Sequence, residues 1–227
     1  MPEPKPRALI VHGGLELHQP RQGAEKVADM LTGSGMDVTV SDDANALVAP
    51  DVGQMALVVP VITGGTMPRE KITPLLDALR NGTGMAGYHH CMSTTFRDVP
   101  QFRYAAGCTW VAHPGNIMCY RVHVTQPDDP IMAGITDFDH VSEQYYMHFD
   151  PAVEVLAETT FSGEHHPWRT NITMPVTFKT HYGAGRIFFT ALGHTADELD
   201  LPDLRPVLHR GLLWAAGQGE AALRAIG

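Results

Sequence analysis

The chain lacks several features that would place a protein in a class at once. No apolar run approaches the roughly 20 residues that a membrane span needs, so we expect no membrane-embedded segment. Basic residues are few: 16 Lys and Arg stand against 25 Asp and Glu, which gives a net charge of −9. That balance offers no patch for neutralising nucleic-acid phosphates. Gly-rich phosphate-binding motifs are also missing, so neither nucleic acid nor a nucleotide is expected as a ligand.

Cysteine is scarce as well. Cys91, Cys108 and Cys119 are odd in number and lack the C-x-x-C spacing, which argues against a disulfide framework, a zinc ribbon or a redox pair. The N-terminal residues pass from a charged, Pro-rich leader directly into an apolar strand, without the pattern of a signal peptide. We therefore expect a cytoplasmic protein.

Histidine is what the sequence has in excess. There are 13 His beside 16 Lys and Arg, although only 18% of residues are charged, below the roughly 25% of an ordinary domain. Because histidine titrates near neutrality and is the commonest metal ligand, the excess favours a site with its own chemistry.

The order of apolar and amphipathic segments predicts an α/β fold with an open, doubly wound sheet. We interpret residues 99–175 as loop insertions over the edge of the site and expect a single domain over residues 1–227. The predicted strands are 8–11, 36–40, 56–62, 84–88, 174–180 and 186–192, and the predicted helices are 19–33, 67–80 and 204–216.

Histidines follow three of the predicted strands. His12 and His18 come after the first strand, His89 after the fourth and His194 after the last. In a doubly wound sheet the binding site lies beyond the carboxyl ends of the strands. The spacing therefore predicts that these side chains meet in one site.

The stretch from Gly87 to Cys91 resembles a strand-to-helix elbow of the G-x-nucleophile-x-G type, with His89 at the presented position. A helix N-terminus disfavours an imidazolium, so we expect His89 to be neutral and suited to polarising a carbonyl or binding a metal. We interpret Cys91 as a small buried thiol.

A second group of candidates lies between residues 141 and 150. Glu143 followed by His148 fits a metal clamp or an acid–base pair, and fits a solvated edge strand equally well. His113 lies in a turn set by a Pro-Gly pair, which favours a structural rather than a catalytic role. We place His12, His113 and Tyr145 among the candidate substrate-binding residues.

These motifs together resemble the trehalose-utilisation (ThuA-like) family. The resemblance implies the class I glutamine-amidotransferase-like fold, a flavodoxin-like three-layer sandwich with a mostly parallel sheet. The family elbow usually reads G-x-H-G-G, and His90 and Cys91 replace its two glycines here, which leaves the reactivity of Cys91 open. The matching stretches are His12 to Gly14 with His18, Gly87 to His89, Phe96 to Asp98, Trp110 to Gly115, Ser142 to Tyr145 and Gly185 to His194.

The comparison with amidotransferases excludes their chemistry. His89 stands where their nucleophilic cysteine would be and His194 where their general base would be, and this pair cannot run a thiolate-dependent reaction. The resemblance implies sugar catabolism beside dehydrogenases that oxidise disaccharides to 3-keto forms. We predict an isomerase, lyase or hydrolase that abstracts a proton next to a carbonyl, with His89, Glu143 and His194 as catalytic residues. Glu143 or His148 is the candidate base.

A divalent metal, zinc or manganese, is the expected cofactor. Its candidate ligands are His18, His89, His148 and His194, although a neutral His89 could polarise a carbonyl without a metal. Two alternatives stay open: a non-catalytic module that binds or senses a sugar, and a hydrolase of another bond that uses zinc-bound water. The expected partner is a small carbohydrate, and the sequence is also compatible with a homo-oligomer.

Overall fold

The computed structural model describes residues 4–226, in which nine strands form one large mixed sheet and two more form a small sheet. In chain order the strands are β1 (Arg7–Gly14), β2 (Asp37–Ser41), β3 (Leu57–Thr63), β4 (Gly84–Tyr88), β5 (Cys108–Ala112), β6 (Ile117–Val124), β7 (Phe138–Glu143), β8 (Tyr146–Phe149), β9 (Glu154–Thr160), β10 (Thr173–Tyr182) and β11 (Gly185–Thr190). The α-helices are α1 (Pro20–Gly33), α2 (Thr73–Arg80), α3 (His90–Ser93), α4 (Pro100–Ala106), α5 (Arg205–Ala215) and α6 (Glu220–Arg224). The large sheet has the order β2-β1-β3-β4-β11-β10-β9-β6-β7, and the small sheet joins β5 to β8.

The first five strands of that order are parallel, and β1, β3, β4 and β11 are covered on both faces, whereas the edge strand β2 is largely exposed. Along β1, Ala8 and Ile10 pack into the apolar cluster under α1 and α5, while Leu9 and Val11 pack into the cluster under α2 and α4. A strand that is buried on both faces needs apolar residues at every position, which explains the unbroken apolar runs of the sequence. The predicted three-layer α/β sandwich is confirmed. In residues 4–226, no helix is long and apolar enough to cross a membrane.

β3 contains a proline, Pro60, and its pairing with its two neighbouring strands differs in length. β3 pairs with β1 along its whole length, but pairs with β4 only at its first two residues, before Pro60. Proline has no N–H to donate to a ladder. Beyond it, the chain that follows β4 fills the gap: the Thr95 hydroxyl donates to the Ile62 carbonyl at 2.6 Å, and the Phe96 N–H donates to Gly64 at 3.0 Å.

The remaining strands of the large sheet, β10, β9, β6 and β7, are antiparallel. The structure corrects the interpretation of residues 99–175 as insertions, because β9, β6 and β7 extend the sheet itself. Within the described chain, β6 pairs with β9 at two positions, His123 with Glu158 and Val124 with Ala157. The β6–β7 hairpin is therefore held to the sheet at one end.

Two predicted boundaries also change. β1 continues through Gly14, two residues past His12, so this histidine lies inside the strand and not beyond it. The helix expected over 67–80 is shorter: a 3₁₀ turn, Arg69–Lys71, precedes α2, which begins at Thr73. Pro74 occupies the first turn of α2, where the missing proline N–H needs no partner.

Candidate active site

Three histidines converge beyond the ends of parallel strands. His18 ends a 3₁₀ turn after β1, His89 follows β4 and His194 follows β11. Their ring centroids are separated by 5.1 Å for His18 and His89, 5.0 Å for His89 and His194, and 5.3 Å for His18 and His194. One nitrogen from each ring lies within 4.8 Å of the other two, a spacing that suits a shared metal ion.

A strained turn presents His89. Its φ of 49° and ψ of −126° lie outside the regions that a residue with a Cβ favours, and its N–H donates to the Thr190 carbonyl at 2.7 Å. Gly87 makes the turn possible, because a Cβ there would lie 2.7 Å from the Met92 Cβ and 2.8 Å from the Cys91 carbonyl oxygen. Backbone strain at this position is typical of a residue held for function.

The helix predicted after the elbow is not formed as a regular helix. α3 spans four residues, and Cys91 and Met92 inside it have non-helical backbone angles. A helix dipole therefore cannot be what keeps His89 neutral. Burial does so instead: the side chain is almost completely enclosed, and desolvation lowers its pKa to about 4 despite the nearby Glu143.

Glu143, at the end of β7, is the carboxylate of the site. Its Oε2 lies 3.1 Å from the His89 Nε2, and its Oε1 lies 3.6 Å from both the His113 Nε2 and the His194 Nδ1. Burial alone would raise the pKa of Glu143, but the contacts with His194 and His89 outweigh it and hold the pKa far below its usual range. The site therefore contains a buried, ionised carboxylate among imidazoles.

The β6–β7 hairpin brings Glu143 to this position. Its free end pairs Ile117 with Glu143 and lies over the ends of the parallel strands. Thr159 of β9 fixes the hairpin through two hydrogen bonds. Its hydroxyl donates to the Arg121 carbonyl at 2.8 Å and accepts from the side-chain amide of Gln144 at 2.8 Å. A residue of β9 thus positions the neighbour of the carboxylate.

His194 and His18 complete the cluster, and their pKa values are shifted in opposite directions. Contact with Glu143 raises the pKa of His194 even though burial opposes the shift, whereas burial and then the charge of His194 lower the pKa of His18. The His18 Nδ1 lies 2.8 Å from the Thr63 hydroxyl. Among the described residues, the polar contact of the buried His194 Nδ1 is with the Glu143 Oε1, which at 3.6 Å is slightly longer than a hydrogen bond.

Sequence reasoning missed His90, which lies in the same cluster. Its ring stacks on His18 with centroids 4.3 Å apart, and its Nδ1 lies 3.0 Å from the His89 Nδ1 and 2.6 Å from the Tyr145 hydroxyl. Burial first, and then the neighbouring His89 and His18, lower the pKa of His90 to about 2. The pair of adjacent histidines at the elbow, His89 and His90, is the signal in the sequence for this position. Tyr145, a predicted substrate-binding residue, is buried against His90.

Two predicted site residues lie elsewhere. His12 lines a separate cleft with Arg21 and Asp42, because β1 extends past it. His148 is exposed on β8, where alternation buries Met147 and turns His148 away from the interior. The structure therefore does not bring His12 or His148 to the histidine cluster.

Cys91 is not available for chemistry. Its side chain is buried, and desolvation raises the pKa of the thiol to about 12, so it stays protonated at neutral pH. The interpretation of Cys91 as a small buried thiol agrees with this environment.

The family follows from the match to a sequence model. The model for ThuA, described as trehalose utilisation, matches residues 7–215. The chain belongs to the ThuA family. Family membership indicates a role in carbohydrate utilisation, and a search of curated proteins finds no match.

Solved structures confirm the ThuA-like fold. A ThuA-like protein from Parabacteroides merdae superposes with a TM-score of 0.70 at 20% identity, covering 94% of this chain and 90% of that one. A second, from Bacteroides uniformis, gives 0.72 at 15% identity, covering 95% and 93%. A β-galactosidase from Bacillus circulans gives 0.56 at 13% identity, with 93% of this chain matching 30% of that enzyme. These likenesses concern the fold alone.

Proposed function

We propose that this ThuA-family protein is a carbohydrate-acting enzyme that removes a proton next to the carbonyl of an oxidised, 3-keto disaccharide, assisted by a divalent metal. The observation that supports this best is the convergence of His18, His89 and His194 on one point beside the ionised Glu143. The cluster contains imidazole donors for a Lewis acid and one carboxylate for proton transfer. A thiol or hydroxyl nucleophile does not occupy the elbow.

The donor set fits a divalent metal. Metals bind neutral imidazole, and the lowered pKa values of His18 and His89 favour the neutral form of these two rings at neutral pH. His194, whose pKa is raised by Glu143, offers a third donor when metal binding displaces its proton. Imidazole nitrogens with a carboxylate nearby suit zinc or manganese. When bound, the metal would polarise a carbonyl oxygen of the sugar.

Glu143 is the proposed base. In a 3-keto sugar the C2 proton is acidic, because the electrons it leaves are delocalised into the adjacent C3 carbonyl. The contacts with His194 and His89 keep Glu143 ionised, so it is in the proton-accepting form at neutral pH. Its Oε1 lies 3.6 Å from the Nε2 of the half-buried His113, which gives the proton a route outward. The same enolate then leads either to isomerisation, when carbon is reprotonated, or to elimination, when the bond between C1 and the glycosidic oxygen breaks and that oxygen takes up a proton as it leaves.

Hydrogen exchange at C2 tests this proposal. A 3-keto disaccharide is incubated with metal-loaded protein in D₂O, and loss of the C2 proton and formation of product are followed by NMR. We expect exchange with the wild type and none above background with Glu143→Gln. His148→Gln is the matched control and should exchange normally. Normal exchange by Glu143→Gln would contradict the role of this carboxylate.

The same experiment separates two other functions. A hydrolase that uses metal-bound water would release two monosaccharides without exchange at C2 of the remaining substrate, and the donor set of three histidines favours this as the second candidate. A sugar-binding module would bind the disaccharide without turnover, and binding would survive in Glu143→Gln. The cytoplasmic location expected from the sequence stays a prediction.

A further inference from the structure

A carboxylate that the proposed function does not use lies next to the histidine cluster. Glu198 belongs to the 3₁₀ turn Asp197–Asp200 that follows β11, and only 17% of its side chain is exposed. Among the described residues it belongs to neither group of side chains that are close enough to share a metal ion. A largely buried carboxylate needs hydrogen-bond donors to offset its desolvation, so its partners indicate what it holds in place.

The partners of Glu198 come from two segments that are distant in the sequence. Its Oε2 accepts from the His194 backbone N–H at 3.0 Å and from the Ser142 hydroxyl at 3.1 Å. The same oxygen lies 3.6 Å from the Nε2 of His140, which is also on β7. Ser142 directly precedes Glu143 in the chain. One carboxylate therefore bonds both to the backbone of His194 and to the residue beside Glu143.

The alternation of side chains along β7 explains how these contacts arise. Val141 is 63% exposed, whereas its two neighbours, His140 and Ser142, are buried. Because successive side chains of a strand point to opposite faces, His140 and Ser142 share the face of β7 that contacts Glu198. The contact with Glu198 is therefore made by the buried face of the strand.

The free end of the β6–β7 hairpin needs such an attachment. In the described part of the chain, β7 pairs only with β6, and β6 pairs with β9 at two positions. Thr159 holds the β6 side of the hairpin through the Arg121 carbonyl, whereas the hydrogen bond from Ser142 is on β7 itself. Glu198 thus attaches the strand that carries Glu143 to the parallel half of the sheet.

The turn that carries Glu198 is itself held firmly. Leu199 is fully buried in the apolar cluster under α1 and α5, and the Ala196 N–H donates to the side-chain oxygen of Gln19 at 3.0 Å. Gly193, with a φ of +99°, packs so closely that a Cβ there would lie 2.7 Å from the Leu199 Cδ2. Since closely packed apolar side chains resist displacement, Glu198 is a fixed point to which β7 is attached.

We infer that Glu198 is a positioning residue whose carboxylate joins the loop after β11 to β7 and thereby sets the distance between His194 and Glu143. That distance is 3.6 Å between the His194 Nδ1 and the Glu143 Oε1. The inference rests on the proposed function, in which Glu143 is the base and His194 a metal donor. It goes beyond that function by assigning the geometry of the pair to a residue outside the proposed base and metal donors.

Steady-state kinetics on Glu198→Ala and Glu198→Gln test the inference, with thermal melting to check folding. The alanine removes both connections, whereas the glutamine amide can accept from the His194 N–H and donate to the Ser142 hydroxyl without the charge. With a 3-keto disaccharide we expect kcat to fall about 100-fold in Glu198→Ala at an unchanged KM, the usual cost of misplacing a catalytic group by about 1 Å. Glu198→Gln should restore most of kcat.

The control is Asp197→Ala, which removes an exposed carboxylate from the same turn and should match the wild type. Equal kcat in Glu198→Ala and Asp197→Ala would overturn the inference. A loss that Glu198→Gln does not restore would also overturn it, because charge and not the two connections would then be what matters.

Amide hydrogen exchange of the metal-free protein separates this inference from the proposed function, because it needs neither substrate nor metal. Ser142→Ala is a milder variant that keeps the bond to His194. Peptides covering residues 140–145 should exchange about tenfold faster in both alanine variants, the effect of one lost hydrogen bond, and peptides covering residues 193–197 only in Glu198→Ala. This pattern supports the connection even where no turnover is found. Unchanged exchange in both variants, with turnover by the wild type, would overturn the inference and leave the proposed function standing.

Discussion

The parallel and antiparallel halves of the large sheet supply the site with different kinds of side chain. The parallel half delivers His18, His89 and His194 from the ends of strands that are buried on both faces, and two of these rings have lowered pKa values. The antiparallel half delivers the ionised Glu143 on a hairpin that pairs with β9 at one end. In the proposed function the metal donors and the proton-transfer group are therefore carried by separate parts of the fold, and they meet where Glu143 contacts His89 and His194.

Removal of one group from each half should have the largest and most distinct effects. His89→Asn should lose both metal binding and activity, because it removes a central donor. Glu143→Gln should lower kcat by roughly 10²–10⁴, the usual contribution of a catalytic base, and keep its metal. Elemental analysis and steady-state kinetics on both variants check this. Loss of metal from Glu143→Gln would show that this carboxylate is itself a metal ligand. It would contradict the claim that only the parallel half supplies metal donors.

Acid should destabilise the metal-free protein through the parallel half. The pKa of His89 is about 4 in the folded chain against 6.5 for an ordinary histidine, so the unfolded state binds more protons between these values. Unfolding free energy therefore falls as the pH drops from 6.5 to 4, by roughly 3 kcal/mol from this residue. Because the pKa of Glu143 is also lowered, protonation of this carboxylate reduces the free energy of unfolding further at still lower pH.

Urea unfolding at pH 7 and pH 4.5 measures this effect in the metal-free wild type and in His89→Asn. The variant should show a smaller loss of stability between the two pH values. The control is His148→Asn, which changes an exposed histidine on β8. Equal losses in the wild type and His89→Asn would show that burial of His89 is not what drives the acid sensitivity.

Loosening the hairpin should affect proton transfer more than metal binding. Thr159→Val removes the hydroxyl that bonds Arg121 and Gln144, and leaves a buried amide and carbonyl without this partner. We expect a loss of about 1–3 kcal/mol in stability and a lower kcat, with metal affinity close to that of the wild type. Equilibrium dialysis and kinetics on one preparation compare the two effects. A larger loss in metal affinity than in kcat would contradict the claim that the hairpin serves proton transfer and not metal binding.

Histidines outside the cluster should have the smallest effect. His12→Ala and His148→Ala change residues that the structure places away from Glu143, so kcat/KM should stay within about twofold of the wild type, as for most surface substitutions. A kinetic comparison on a 3-keto disaccharide is sufficient. A large loss in His148→Ala would show that β8 contributes to the site in a way that its exposed position does not suggest.

The parallel half was largely predictable from the sequence for a physical reason. Fully buried strands demand continuous apolar runs, and parallel strands joined by helices must end at one edge, so His18, His89 and His194 are placed by local pattern alone. The position of Glu143 was not predictable in this way. It depends on which strand the β6–β7 hairpin pairs with, and pairing between distant segments leaves little trace in a single sequence.

Two other features depend on tertiary contacts. His90 joins the cluster where the chain after the elbow lies between β3 and β4, and the helix predicted there is an irregular turn. His148 was predicted as a ligand from its spacing to Glu143. The chain turns between β7 and β8, however, so spacing along the sequence does not carry over to distance in space.

Metal binding tests the central claim most directly. Purified protein is stripped with a chelator, dialysed against zinc or manganese, and its metal content is measured for the wild type, for the triple variant His18→Asn, His89→Asn, His194→Asn, and for His148→Asn as control. The account predicts one metal ion per chain in the wild type and the control, and none in the triple variant. A wild type that binds no metal, or a triple variant that binds as the wild type does, would contradict it.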